Sequence, residues 1–127
     1  MRPTGLIFWI AGIYGLIVLT PLYFLEEQIG FDSPPAITHP EFYYGFVGVA
    51  LSWQIAFLVI GHNPVRYRPL IIPAILEKAT FGIATIVLFA RERISARLLA
   101  FGIVDLAWGV LFAVAFWLSI RGSKTGP

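Results

Sequence analysis

The chain has 127 residues, of which 58% are hydrophobic and 13% charged. Soluble domains carry about a quarter charged residues, so this composition excludes an ordinary water-soluble globule. The formal net charge of +2 is too small for a nucleic-acid surface, and the absence of cysteine excludes disulfide frameworks, thiolate catalysis and cysteine-ligated metals.

What remains is a set of four long apolar runs. About 20 apolar residues cross a hydrocarbon core of about 30 Å, so four spans take up roughly two thirds of the chain. The expectation is an all-α integral membrane four-helix bundle, up-down-up-down, forming a single domain over residues 1–127 with spans at 6–25, 42–60, 70–90 and 98–120.

Span one, from Leu6 to Leu25, is too long for the apolar core of a signal peptide. Only Arg2 precedes it, and Thr20-Pro21-Leu22 is no small-x-small cleavage site, so it reads as a retained span. Pro21 predicts a bend, because its ring nitrogen has no N–H to give the helix. Trp9 and the pair Tyr23-Phe24 fall near the two membrane interfaces, and Ala11 with Gly15 forms a small-xxx-small pair that permits close helix approach. The loop that follows, EEQIGFDSPPAITHP, reads as irregular, with Ser33-Pro34-Pro35 as its breaker. At its end Thr38-His39-Pro40-Glu41 fits a capping box, with Thr38 as the cap and Glu41 folding back to it.

Span two, from Phe42 to Ile60, has Tyr43 and Tyr44 at one interface and a notch at Gly45 and Gly48. Gln54 lies deep within it, beside Ser52 and Trp53, and a buried amide must face other helices, not lipid. After the turn at Asn63-Pro64, span three runs from Leu70 to Ala90, with Pro73 in its first turns and Glu77 and Lys78 side by side well inside. Adjacent ions in hydrocarbon require partners, a water-filled cavity or a function. The third loop carries Arg91, Arg93 and Arg97 against Glu92, and Ser95 is positioned to cap span four, which runs from Leu98 to Ile120 with Asp105 inside it. Gly109 and Ala113 form a second small-xxx-small pair, and the tail RGSKTGP reads as frayed.

Orientation follows the Lys and Arg count outside the spans. Arg2, Arg66, Arg68, Arg121 and Lys124 lie on one side, and Arg91, Arg93 and Arg97 on the other. Five against three predicts N-in and C-in, in a bacterial inner membrane, with the basic third loop as the discordant element or a contact for anionic headgroups.

Rise per residue places Glu77 and Lys78 roughly 11 Å, and Gln54 roughly 12 Å, from the cytoplasmic ends of their spans, with Tyr14 at a similar depth. Asp105 lies roughly 10 Å below the outer end of span four, something like 8–9 Å higher than Glu77 in a core of about 30 Å. The expected polar core is therefore Glu77, Lys78, Asp105, Gln54 and Tyr14. Glu77 and Lys78 are about 100° apart on the helix, which predicts Glu77 aimed at Gln54 and Tyr14, and Lys78 aimed at Asp105.

His39 and His62 fall on opposite sides of the membrane and cannot share a metal within one subunit. No Ser-His-Asp set, phosphate loop or HExxH motif is present, and no motif requires a cofactor. Trp53 and Trp108 read as packing residues.

The segments HPEFYYGFVGVALSWQ and NPVRYRPLIIPAILEK resemble small uncharacterised bacterial four-span membrane proteins. The architecture is also similar to DoxX-like four-span proteins and to the sterol-isomerase group, whose members place acidic residues in an intramembrane cavity. No motif of either group aligns onto these residues, so no catalytic role is carried over.

The leading functional expectation is non-enzymatic: binding of a hydrophobic or lipid-like ligand, or of a partner membrane helix, among membrane lipids and with homo-oligomerisation as one form of partner. One rival is an intramembrane enzyme on a lipidic substrate, using Glu77 or Asp105 as acid or base. The other is an oligomeric proton-coupled transporter. An enzyme needs a cavity at Glu77 or Asp105, a scaffold needs Lys78 paired with both acids, and a transporter needs a polar seam between subunits.

Overall fold

The computed structural model describes residues 3–125, with side chains as far as residue 121. Arg2, counted above for topology, and the side chain of Lys124 lie outside the described residues. The protein is an all-α four-helix bundle whose long helices are α1 (Pro3–Leu19), α3 (Pro40–His62), α4 (Arg68–Ala90) and α5 (Ala96–Thr125). All four are long and apolar enough to cross a membrane, the first together with the 3₁₀ turn that follows it. Their outward faces expose Ile17, Val49, Ile55, Leu76, Ile83 and Val110, the surface that hydrocarbon chains cover in a bilayer.

The largest departure from expectation lies between the first two spans. A helix, α2 (Glu26–Asp32), occupies the segment read as loop. Glu26 and Glu27 sit in its first turn, where acids favour the positive end of the helix dipole, and Gln28 Nε2 donates to Asp32 Oδ1 at 3.0 Å one turn on. The bend at Pro21 takes the form of a change of helix type. The α-helix ends at Leu19 and tightens into a 3₁₀ turn over Thr20–Phe24. Pro21 has no N–H for the carbonyl four residues back, and the Tyr43 hydroxyl on α3 donates to Leu22 O at 2.5 Å.

The capping box is a second correction. The cap of α3 is His39, not Thr38, and no side chain caps the helix. Starting there puts Pro40 at the first helical position, which suits its fixed φ and missing N–H. Glu41 is then one position too early to reach back to the cap, and its Oε1 instead meets His39 Nδ1 at 3.2 Å. At α5 the Ser95 Oγ accepts from the Leu98 N–H at 3.4 Å, as its place in the sequence predicts. Beyond Ile120 the helix continues to Thr125 and does not fray at Arg121.

The four long helices associate most closely as two antiparallel pairs, α1 with α3 and α4 with α5. Connection length does not decide the pairing, because α3 and α4 are joined by a short turn yet pack only loosely, and α1 pairs with α3 across the longest connection; glycine lets each tight pair approach. On α1, Ala11 and Gly15 are both buried, and a Cβ at Gly15 would collide with the Gln54 side chain on α3. On the other pair, a Cβ at Gly102 would collide with Thr85, and one at Gly82 with Leu106. The second small-xxx-small pair is not used as expected: Gly109 is buried but Ala113 is exposed. The notch at Gly45 receives no helix, since nothing lies within 4 Å of a Cβ built there.

The two pairs meet in an aromatic core. Phe8 of α1, Phe57 of α3 and Phe112 of α5 are fully buried, with Phe8 and Phe112 stacked at 4.3 Å and Phe57 edge-on to Phe112 at 4.9 Å. Ile60, Ile71, Ala74 and Ala115 complete it. This core occupies the half of the bundle nearest the start of α1 and the end of α5. Arg68 braces the same end, its Nε donating to Ser119 Oγ at 3.0 Å and its Nη2 to Ser119 O at 2.7 Å.

Candidate functional site

Where the aromatic core stops, the ions begin. Lys78 is ten residues along α4, about 15 Å from its start, and Asp105 is nine residues along α5 from the opposite end, about 14 Å. Antiparallel packing brings both to mid-depth. Gly109 of α5 faces the Lys78 stem, where a Cβ at residue 109 would make an ordinary contact of 3.5 Å with Lys78 Cβ. The side chain of Lys78 is 4% exposed, whereas those of Glu77 and Asp105 are each 19% exposed.

The Lys78 ammonium lies 3.7 Å from Glu77 Oε2 and 3.6 Å from Asp105 Oδ1. Both distances exceed the roughly 2.7–2.9 Å of a charge-assisted hydrogen bond. The ammonium is therefore held by Coulomb attraction between two carboxylates. The Phe57 ring face, 5.1 Å from Nζ, adds a cation–π contact from α3. Glu77 Oε2 is buried and accepts no hydrogen bond.

The expected bridge from Lys78 to Asp105 is present. The expected turn of Glu77 towards Gln54 and Tyr14 is not. Glu77 shares its flank of α4 with Phe81, one turn on, and Phe81 stacks on Phe46 of α3 at 5.9 Å. The long Lys78 stem swings its ammonium back to Glu77, so neighbours 100° apart on the helix still meet at one charge. Gln54 is 1% exposed and faces the bundle, but it serves the α1–α3 seam. Its Nε2 donates to Ala50 O at 2.8 Å, and its Oε1 accepts no conventional hydrogen bond. That oxygen fills the notch at Gly15, against the glycine Cα, the kind of weak contact that recurs between closely packed helices. Tyr14 packs against Trp108 with ring centroids 6.1 Å apart, and no hydrogen bond joins it to Gln54 or Glu77. Trp53 likewise packs, on Phe57 at 6.3 Å.

Sequence reasoning missed Phe57 as the ring beneath Lys78, and Gly82 and Gly102 as the notches that bring α4 and α5 together. The signal for the glycines was available: Gly82 stands one turn after Lys78, and Gly102 and Gly109 are two turns apart on α5.

Two open cavities lie at the end of the bundle that carries α2. One of about 350 Å³ is lined by Asp32, Ser33, Ser95 and Arg97. The other, about 400 Å³, is lined by Glu26, Glu27, Gly30, Phe31, Ala36 and Ile37. Neither is lined by Glu77, Lys78 or Asp105. Among the described residues, no group of three His, Asp or Glu side chains could hold a metal ion.

No family model, curated protein or solved structure matches the chain, and the likeness to DoxX-like proteins is not confirmed.

Proposed function

We propose that this chain is a non-catalytic multipass membrane protein that binds a hydrophobic partner, a lipid-like molecule or another membrane helix, along the outward faces of its bundle. The observation that supports this reading most is the Lys78 ammonium held between both intramembrane acids. An acid or base acting on a lipidic substrate needs an opening beside it; here both candidates are turned onto one ammonium. In this reading the cluster keys α4 to α5 and the helices' exposed apolar faces make the contacts.

The proposed setting is a bacterial inner membrane with both termini in the cytoplasm. The side holding the chain ends carries Arg2, Arg66, Arg68, Arg121 and Lys124 and no acid, whereas the α2 side carries Arg91, Arg93 and Arg97 with Glu26, Glu27, Asp32, Glu41 and Glu92. The excess of bases supports the first side as cytoplasmic. A dual reporter fused after Pro127 should report a cytoplasmic location, and a periplasmic signal would reverse the orientation. Native mass spectrometry of the chain released from bilayer nanodiscs tests the binding role. Retained lipid-like molecules or a second copy in stoichiometric amount are expected; a bare monomer would contradict it.

A further inference from the structure

The ion cluster is unbalanced. Two carboxylates, Glu77 and Asp105, face one ammonium, Lys78, so the fully ionised cluster carries one net negative charge at mid-depth between apolar helices. An uncompensated charge in such surroundings costs several kcal/mol.

Among the described residues, no other charged group on the four helices lies close enough to balance it. On α4, Arg68 is ten residues away, about 15 Å, and is engaged by Ser119, while Arg91 is thirteen residues away, about 20 Å. On α5, Asp105 is the only charged residue between Arg97 and Arg121. On α3, no charged or titratable residue lies between Tyr44 and His62, and Lys78 there meets the Phe57 ring. On α1 the single titratable group is Tyr14, which is neutral when protonated.

We infer that the Glu77–Lys78–Asp105 cluster binds one exchangeable proton, shared between the two carboxyl groups while Lys78 stays charged. The proton comes from water, forms one O–H bond on a carboxylate oxygen of Glu77 or Asp105, and returns to water on release. Glu77 Oε2 has no hydrogen bond to break, and neither acid is as enclosed by the bundle as Lys78, whose side chain is 4% exposed against 19% for each of theirs. The cluster is thereby a proton-binding site of one proton per chain. This goes beyond the binding role proposed above and does not depend on it.

The infrared carbonyl band of a protonated carboxyl group tests it, recorded on the full chain in bilayers at neutral pH. The Glu77→Gln/Asp105→Asn double variant supplies the baseline, and circular dichroism verifies that each variant is helical. The wild type should show one carboxyl's worth of band, shifted in D2O. Either Glu77→Gln or Asp105→Asn alone should abolish it, because the remaining carboxylate and Lys78 form a neutral pair. Lys78→Met should double it, since both acids must then be neutralised. A band that survives either single substitution, or its absence from the wild type in both sodium and choline buffers, would overturn the inference. A band seen only without sodium would replace the proton with an alkali cation.

Discussion

The two tight helix pairs use one device for different ends. Both α1–α3 and α4–α5 close on glycine, with Gly15 taking the Gln54 side chain and Gly102 taking Thr85. The polar residue at the first seam is neutral and bonds within its own helix, to Ala50 O. The second has its own neutral group, Thr85, which bonds to Gly82 O within α4, but adds ions that no single helix can satisfy: Lys78 needs Asp105 from α5 and the ring of Phe57 from α3. One seam is self-contained packing; the other carries a charge balance that reaches across the bundle.

The largest way to break this contrast is Lys78→Met. It leaves both acids without a cation, so that each must be neutralised by a proton, and should cost about 3–5 kcal/mol in detergent unfolding. Substitution of the glycines should cost less, about 1–3 kcal/mol each for Gly15→Ala and Gly102→Ala, through overpacking. Here the two seams should differ in rescue. Gln54→Ala removes every side-chain atom that the new Cβ at residue 15 meets, so it should restore stability. Thr85→Ala leaves the Cβ that the one at residue 102 meets, so rescue there should be partial. Smallest should be Gln54→Leu, within about 1 kcal/mol of wild type, because an apolar side chain replaces an amide whose oxygen lacks a conventional partner. A loss as large as that of Lys78→Met would mean that Gln54 serves the ion cluster after all.

These differences also mark what the sequence could carry. The spans were legible because twenty apolar residues in a row have few other readings, and the Lys78–Asp105 bridge followed from depth together with the reach of the lysine stem. Depth says nothing about azimuth, and that is where the expectation for Glu77 failed: its flank of α4 does face α3, where Phe81 stacks on Phe46, but Gln54 is turned away to α1. The missed helix α2 is seven residues long, too short for an apolar period to stand out, and Ser33-Pro34-Pro35 drew the whole segment into a loop reading. At His39 a favourable sequence pattern lost to a stricter one, the preference of Pro40 for the first helical position.

The most direct test of the shared ammonium is a double-mutant cycle of Lys78→Met and Asp105→Asn, followed by thermal unfolding of the full chain in nanodiscs. If Lys78 is the one charge that both carboxylates share, Asp105→Asn should be mild alone, and the double variant should be more stable than Lys78→Met, because removing a carboxylate relieves the imbalance. Penalties that simply add would contradict a shared ion cluster and leave α4 and α5 joined by glycine packing alone.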